Sequence, residues 1–250
     1  MRRPLIAGNW KLYKTAAQTA GFFEKFLPEV AKSEHCDIVI APPFVNIPAA
    51  VAAAAGSKVE IGGQNLHWAK EGAFTGEVSA PMLVDVGAKW VIIGHSERRQ
   101  YFGETEETVF QKTVAALEGG LNPIVCIGEK LEEREAGKTE PVLLAQLRGG
   151  LGQLSTLQIE RLAIAYEPVW AIGTGKTATP AMAQEAHRYI RSMIARQFGF
   201  GPANHVRILY GGSVKPDNVK GLMAQGNIDG ALVGGASLDP ASFASIVNYQ

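Results

Sequence analysis

The sequence predicts a (β/α)8 barrel, with eight parallel strands and helices outside them. Three observations support this fold: eight short apolar segments recur along the chain, stretches with helical spacing separate them, and 250 residues allow about 31 per unit. An open doubly wound sheet is the alternative. It would usually carry a glycine-rich phosphate fingerprint after its first strand, where this chain instead reads AGNWK. The barrel is therefore favoured.

The predicted strands are rich in Val, Ile and Leu, as expected of strands that are buried on both faces. They are Leu5–Trp10, Asp37–Ala41, Val59–Gly63, Trp90–Ile93, Pro123–Ile127, Leu162–Tyr166, Arg207–Tyr210 and Asp229–Val233.

The segments between the strands carry helix signals. Thr15 can cap the first helix, and Gly119-Gly120 can end another. Proline at a first helical position opens two more. The helices predicted in this way are Ala16–Ala31, Glu104–Leu117, Ala181–Phe198 and a last helix that begins at Asp239-Pro240.

Composition restricts the class of protein. The chain is 46 % hydrophobic, and its 24 basic and 24 acidic residues balance, so neither nucleic acid nor an anionic membrane surface is an expected partner. Cys36 and Cys126 lie in apolar runs, where reduced core thiols are expected. No apolar run approaches a membrane span or a signal peptide. We expect one domain, residues 1–250, in the cytoplasm.

One long interruption, Gln64–Ala80, follows the third strand. Loops of this length in a compact domain are usually functional or disordered. Trp68 and Phe74 argue against disorder, so we interpret this segment as an interaction loop.

Polar side chains follow several of the predicted strands, and in a barrel these strand ends form one rim, where active sites lie. Asn9 and Lys11 follow strand 1, His95 follows strand 4 and Glu167 follows strand 6. Taken singly, a surface glutamate, a structural histidine and a solvated lysine are the ordinary interpretations. At one rim, Glu167 could act as a base, a neutral His95 at a helix start could donate to a carbonyl, and Lys11 could stabilise an oxyanion.

Glycines follow the last two strands. Gly211-Gly212 precedes Ser213, and Gly234-Gly235 follows strand 8. A single Gly-Gly is often only a tight turn, but barrels commonly bind phosphate in these two loops. We therefore predict a small phosphate ester as the ligand.

The segment Gly173–Thr177 resembles two nucleotide motifs and satisfies neither. A P-loop needs a glycine where Trp170 stands, and a dinucleotide site needs an acidic residue about 20 residues further on, where a helix is predicted. Glycine hinges for a closing loop explain this composition better.

The motifs AGNWK, GHSERR, AYEPVWAIGTGK, YGGSV and LVGGASL occur in this order, and together they resemble the triosephosphate isomerase family from residue 5 to about 248. The resemblance implies cofactor-free interconversion of dihydroxyacetone phosphate and D-glyceraldehyde 3-phosphate through an enediolate, in glycolysis and gluconeogenesis. Neither metal nor redox cofactor is implied. No HxH, HxxE or carboxylate cluster in the sequence predicts a metal site.

The resemblance also assigns roles to residues. Glu167 transfers the proton, His95 polarises the carbonyl, and Lys11 and Asn9 bind substrate and stabilise the enediolate. The phosphate is held by four residues, namely Gly173, Ser213, Gly234 and Gly235.

Three further features follow from the same resemblance. Pro168–Lys176 is the lid, and Glu97 and Cys126 support the site. The family is a homodimer, so the loop 64–80 would enter the partner's site, with Thr75 at the inserted tip.

Two other functions remain open from the residues alone. An aldolase-like barrel would need a Schiff-base lysine at a strand end, where strand 6 presents Glu167. A non-catalytic barrel that binds a sugar phosphate or a protein would be expected to lack Glu167, His95 or Lys11, and all three are present.

Overall fold

Eight short strands alternate with helices in the computed structural model, which describes residues 2–172 and 177–250. The strands are β1 Leu5–Asn9, β2 Asp37–Ala41, β3 Val59–Gly63, β4 Trp90–Ile93, β5 Asn122–Ile127, β6 Ala163–Tyr166, β7 Arg207–Tyr210 and β8 Gly230–Val233.

Twelve α-helices are assigned among the described residues, and none of them is long and apolar enough to cross a membrane. They are α1 Ala16–Val30, α2 Ile47–Ala54, α3 Ala80–Asp85, α4 Ser96–Tyr101, α5 Glu106–Glu118, α6 Leu131–Glu135, α7 Thr139–Leu151, α8 Thr156–Glu160, α9 Pro180–Phe198, α10 Phe200–His205, α11 Val219–Met223 and α12 Pro240–Val247. In the same described ranges, three 3-10 turns cover Phe44–Asn46, Val169–Ala171 and Gly235–Leu238.

The strands form a closed parallel barrel in chain order. Each strand pairs with its neighbour, and β8 returns to β1 with Leu5 opposite Gly230 and Gly8 opposite Val233. The predicted (β/α)8 fold is confirmed. Because all eight strands run the same way, their carboxyl ends meet at one rim.

Alternate strand residues fill the barrel interior. Inward side chains such as Leu5, Val39, Ile92 and Leu209 form one buried cluster. The other face of each strand packs on the helices, where the buried Phe22, among others, joins a second and larger cluster. This two-sided burial explains why the strand sequences are continuously apolar.

Three of the four predicted helix starts agree, to within one residue, with the capping contacts. Thr15 and Gln18 form a reciprocal capping box at α1. The side chain of Thr179 accepts the Met182 N–H at α9, and that of Asp239 accepts the Ser242 N–H at α12. These contacts satisfy N–H groups that a helix start otherwise leaves without a partner.

Several predicted strand ends are wrong by one residue. The first strand ends at Asn9, not Trp10, because Lys11 turns the chain through a left-handed φ of 50°. The sixth begins after Leu162, whose N–H completes the turn of α8. The eighth begins after Asp229, whose carboxylate accepts the Ile208 N–H at 2.9 Å. The fifth strand begins at Asn122, one residue before the predicted Pro123.

The predicted helix Glu104–Leu117 begins two residues too early. Thr105 is the N-cap of α5, and the Glu104 carboxylate instead binds Arg98 and Lys112 in a buried cluster. The first helix ends at Val30 and α9 begins at Pro180, each one residue from the predicted bound.

The loop 64–80 is ordered by its aromatic rings. The His67 ring lies 4.1 Å from the ring centroids of both Trp68 and Phe74, and the His67 N–H donates to the Val78 carbonyl. Residues 71–77 are nevertheless exposed. The loop therefore has a defined conformation and projects from the barrel.

Barrel closure supplies a stability test. Gly230 has a φ of 151°, and a Cβ there would lie 1.9 Å from the Leu5 carbonyl oxygen on β1. We expect Gly230→Ala to lower the free energy of unfolding by about 3 kcal/mol, because the added methyl separates β8 from β1. Urea denaturation measures this change.

Gly201→Ala in α10 is the matched control, because no atom lies within 4 Å of a Cβ at that position. It should change stability by less than about 1 kcal/mol. Equal stability of Gly230→Ala and the native protein would show that the β1–β8 contact tolerates expansion.

Candidate active site

A cavity of about 290 Å³ opens at the carboxyl rim of the barrel. It brings together side chains and backbone from the loops after β1, β4, β6, β7 and β8. Seven of the eight residues predicted for the site line it, namely Asn9, Lys11, His95, Glu167, Ser213, Gly234 and Gly235. The eighth, Gly173, lies outside the described residues, as do the positions of the predicted lid from 173 to 176.

Glu167 is the buried acid of this cavity, with only 2 % of its surface exposed. It directly follows β6, and its N–H donates to the Ile127 carbonyl at 2.7 Å. One carboxylate oxygen accepts the Ser96 N–H at 2.9 Å, and the other lies 2.9 Å from His95 Nε2. The carboxylate thus has defined donors although water is nearly excluded.

His95 is the N-cap of α4, and its ring is also buried. Its Nδ1 accepts the Glu97 N–H at 3.2 Å. A neutral ring with its proton on Nε2 satisfies both contacts, because Nδ1 then accepts and Nε2 donates to Glu167. The donor side of the imidazole faces the cavity.

Burial and charge act in opposite directions on this pair. Burial raises the pKa of the Glu167 carboxyl, but His95, the Ser96 N–H and Lys11 outweigh it, so the pKa is lowered and the carboxylate is ionised. Burial lowers the pKa of His95, as does Lys11, but the Glu167 and Glu97 carboxylates together raise it by more. The Glu97 N–H opposes protonation, because a protonated Nδ1 could not accept it.

Lys11 brings the cation of the site to the cavity. Its backbone is held by the Asn9 side chain, which accepts the Lys11 N–H at 3.0 Å, and by Gln64, which donates to the Lys11 carbonyl at 2.9 Å. Its ammonium group pairs with Glu97. A Cβ placed on Gly234 would lie 3.5 Å from Cε of Lys11, so the cation is next to the glycine loop after β8.

The structure adds residues that the sequence did not nominate. The backbone N–H of Ser96 binds Glu167, and Lys215 lines the cavity beyond the glycine pair after β7. A lysine next to a predicted phosphate loop was a signal that could have been used. Ser96 acts through its backbone, so no side-chain pattern could have identified it.

The structure also shows where Glu97 and Cys126 lie, the two residues that the family resemblance assigned to support of the site. Glu97 binds Lys11, and Cys126 is fully buried in β5 as a free thiol inside the barrel. Within residues 2–172 and 177–250, no group of three or more His, Cys, Asp or Glu side chains is placed to hold a metal ion.

Comparisons with known proteins agree with this geometry. A family model described as triosephosphate isomerase matches residues 4–250. The chain belongs to this family. The triosephosphate isomerase of Solibacter usitatus is 63 % identical over 249 residues, and that of Citrifermentans bemidjiense is 61 % identical over 250, each match covering 100 % of both chains.

A solved structure gives the same result. The crystal structure of triosephosphate isomerase from Bartonella henselae superimposes with a TM-score of 0.90, at 39 % identity, over 99 % of this chain and 100 % of that one. The triosephosphate isomerase fold is thus shared along the length of the chain.

The coupling between His95 and Glu167 is testable. Glu167→Gln removes the stronger of the two carboxylate charges that raise the pKa of His95, and it leaves the burial that lowers it. We therefore expect the pKa of His95, followed by NMR of its ring nitrogens, to fall below its value in the native protein.

His187 is the internal control, because burial lowers its pKa to about 3 independently of Glu167. An unchanged pKa of His95 in the variant would mean that Glu167 does not determine its protonation.

Proposed function

We propose that this protein is a triosephosphate isomerase that interconverts dihydroxyacetone phosphate and D-glyceraldehyde 3-phosphate by proton transfer, without a cofactor. The observation that carries the proposal is the buried, ionised Glu167 in contact with a donor nitrogen of His95, beside Lys11 and two glycine loops. Family membership and the names of the close relatives support the same reaction. Glycolysis and gluconeogenesis are the pathways in which it would act.

Glu167 is the proposed base. Its carboxylate would remove the proton from the carbon next to the substrate carbonyl, and return it to the neighbouring carbon after the double bond has moved. The lowered pKa keeps the group ionised, and its near-complete burial excludes water that could exchange with the proton.

His95 and Lys11 are the proposed partners of the developing oxyanion. The substrate carbonyl would replace Glu167 as the acceptor for the Nε2 proton of His95. The ammonium group of Lys11 would stabilise the negative charge of the enediolate, and Asn9 holds the Lys11 backbone in place.

The phosphate is assigned to the glycine loops of the cavity. Ser213, Gly234 and Gly235 lie on these loops, which follow β7 and β8. These loops leave the backbone accessible, because the two glycines have no side chain to cover it. Gly173 is proposed for the same role by family resemblance alone.

Turnover is the direct test. The purified protein should convert D-glyceraldehyde 3-phosphate in a coupled assay without added metal or nucleotide. Glu167→Asp retracts the carboxylate by one methylene, so we expect kcat to fall by about 100-fold with little change in KM.

Glu24→Asp on the exposed face of α1 is the matched control, and it should keep the native kcat. Absence of turnover by the native protein would favour a barrel that only binds sugar phosphates. Native kcat in Glu167→Asp would remove Glu167 as the base.

We further propose that the protein is a homodimer formed through the loop 64–80. A second cavity, of about 580 Å³, lies beside the first and is lined by Lys11 and His95 together with Leu12, Tyr13 and Phe102. Leu12 and Phe102 are 93 % and 66 % exposed. Apolar side chains grouped around such an opening are typical of a protein interface.

The occupant proposed for this second cavity is the tip of the same loop from a second copy. Thr75 lies at the exposed end of the loop, whose base is held rigid by the rings around His67. Because Lys11 and His95 line both cavities, the partner's loop would restrain the residues that bind substrate.

Disruption of this contact should reduce activity. Thr75→Arg places a long cation on the loop tip, so we expect a monomer in sedimentation velocity and a kcat at least about tenfold lower. Thr156→Arg, on α8 at the opposite end of the barrel, is the control and should stay dimeric and active. A dimeric, fully active Thr75→Arg protein would exclude this loop from the interface.

We also propose that residues 1–250 form a single domain and that the protein acts in the cytoplasm. Closure of the barrel between β1 and β8, together with the packing of α1 on α12, joins the two ends of the chain in one unit. The buried free thiols of Cys36 and Cys126 suit a reducing compartment.

A further inference from the structure

The side chain of Gln146 binds both backbone groups of Gly128. Gln146 lies on α7, and its Oε1 accepts the Gly128 N–H at 2.7 Å while its Nε2 donates to the Gly128 carbonyl at 3.1 Å. Its neighbours on the helix, Leu143 and Leu147, are buried in the core. The amide therefore extends from a fixed helix to the residue that directly follows β5.

Gly128 is the middle residue of a backbone segment that supports the base. The Ile127 carbonyl accepts the Glu167 N–H at 2.7 Å, and the Glu129 carbonyl accepts the Val169 N–H at 3.1 Å. Residues 127–129 thus hold residues 167–169 from both ends. We call residues 127–129 the support segment.

The contact between Gly128 and Glu167 is very close. A Cβ on Gly128 would lie 1.7 Å from the Glu167 carbonyl oxygen and 2.6 Å from its carbonyl carbon. A shift of the Gly128 backbone toward β6 must therefore displace the backbone of Glu167. The position of Gly128 is in turn set on its other side by Gln146.

We propose that Gln146 is a positioning residue for the base, acting through Gly128 on the backbone of Glu167. This inference rests on the proposed function, because it assigns Gln146 to the same proton transfer. Gln146 also lines another cavity, distinct from the two described above, which Glu167 and Ser96 line as well. Water from this cavity could reach the N–H and carbonyl of Gly128 if the Gln146 side-chain amide were removed. Hydration there would release the support segment from α7.

The expected effect is on kcat more than on KM. The phosphate is assigned to the loops after β7 and β8, which Gln146 does not contact in the described part of the chain. Proton transfer is much more sensitive, because a displacement of about 1 Å in a reacting group can cost on the order of 100-fold in rate. A partial displacement should cost about tenfold.

The main test compares the kinetics of the Gln146→Met and Gln197→Met variants of the 250-residue protein. Methionine keeps the shape of glutamine and removes both polar atoms. Gln197 donates to the Gly152 carbonyl at 2.9 Å on the outside of the barrel, so its variant loses a similar bond away from the rim. We expect Gln146→Met to lower kcat about tenfold with KM changed less than about twofold, and Gln197→Met to leave both unchanged.

Hydrogen exchange at the Gly128 amide is the second measurement and needs no turnover. It should be faster in Gln146→Met than in the native protein, because the acceptor of that N–H is gone. Binding of inorganic phosphate should stay within about twofold, since its proposed loops are not altered.

The outcomes separate this inference from the proposed function. If the native protein has no isomerase activity, the proposed function fails, and exchange at the Gly128 amide still reports on the hydrogen bonds between Gln146 and Gly128. If the native protein is active and Gln146→Met keeps the native kcat, the positioning role is wrong. Equal loss of kcat and phosphate binding would also overturn it, since that pattern indicates general disruption.

A second variant covers the case in which Gln146→Met does not fold. Gln146→Glu keeps an acceptor for the Gly128 N–H and loses the donor to the Gly128 carbonyl. It should lower kcat with KM unchanged, and a native kcat in this folded variant would contradict the proposal.

Discussion

Closure of the barrel between β1 and β8 is the constraint on which the rest of the structure depends. Asn9 ends the first strand and Lys11 follows it, whereas Gly234 and Gly235 follow the last strand, more than 200 residues later. Only the parallel pairing of Leu5–Gly8 with Gly230–Val233 brings these loops to one cavity. The ends of the middle strands then place His95 and Glu167 between them. Site geometry and barrel stability therefore share the same hydrogen bonds.

At this rim, the site holds the charged carboxylate of Glu167 in a position that is almost inaccessible to water. Glu167 remains ionised although it is buried, because His95 and the Ser96 N–H donate to its two oxygens. The same contacts hold the carboxylate in one orientation, which proton transfer requires. Residues 127–129 hold the backbone around Glu167 through hydrogen bonds from the N–H groups of Glu167 and Val169. This packing is so close that any side chain on Gly128 would collide with Glu167.

Much of the fold was predictable because local signals agreed with the tertiary structure. The continuous apolar strands were recognisable since burial on both faces leaves no polar alternation, and Thr15 and Thr179 marked helix starts through hydrogen bonds made within one turn. The errors arose where a distant partner decides the boundary. Glu104 looks helical in sequence, but it is held outside α5 by Arg98 and Lys112. Asp229 is held outside β8 by bonds to Arg2, Arg191 and the Ile208 N–H.

The sequence by itself determined the barrel, the rim and the chemical types of its side chains, because strand order in a parallel barrel converts chain position into location. It could nominate Asn9, Lys11, His95, Glu167, Ser213, Gly234 and Gly235, and the structure brings all seven to one cavity. Only the tertiary structure decided which atoms meet: the Ser96 N–H on Glu167, the two bonds from Gln146 to Gly128, and Lys215 at the cavity wall. The physical reason is that backbone donors and bonds between distant residues leave no periodic pattern along the chain.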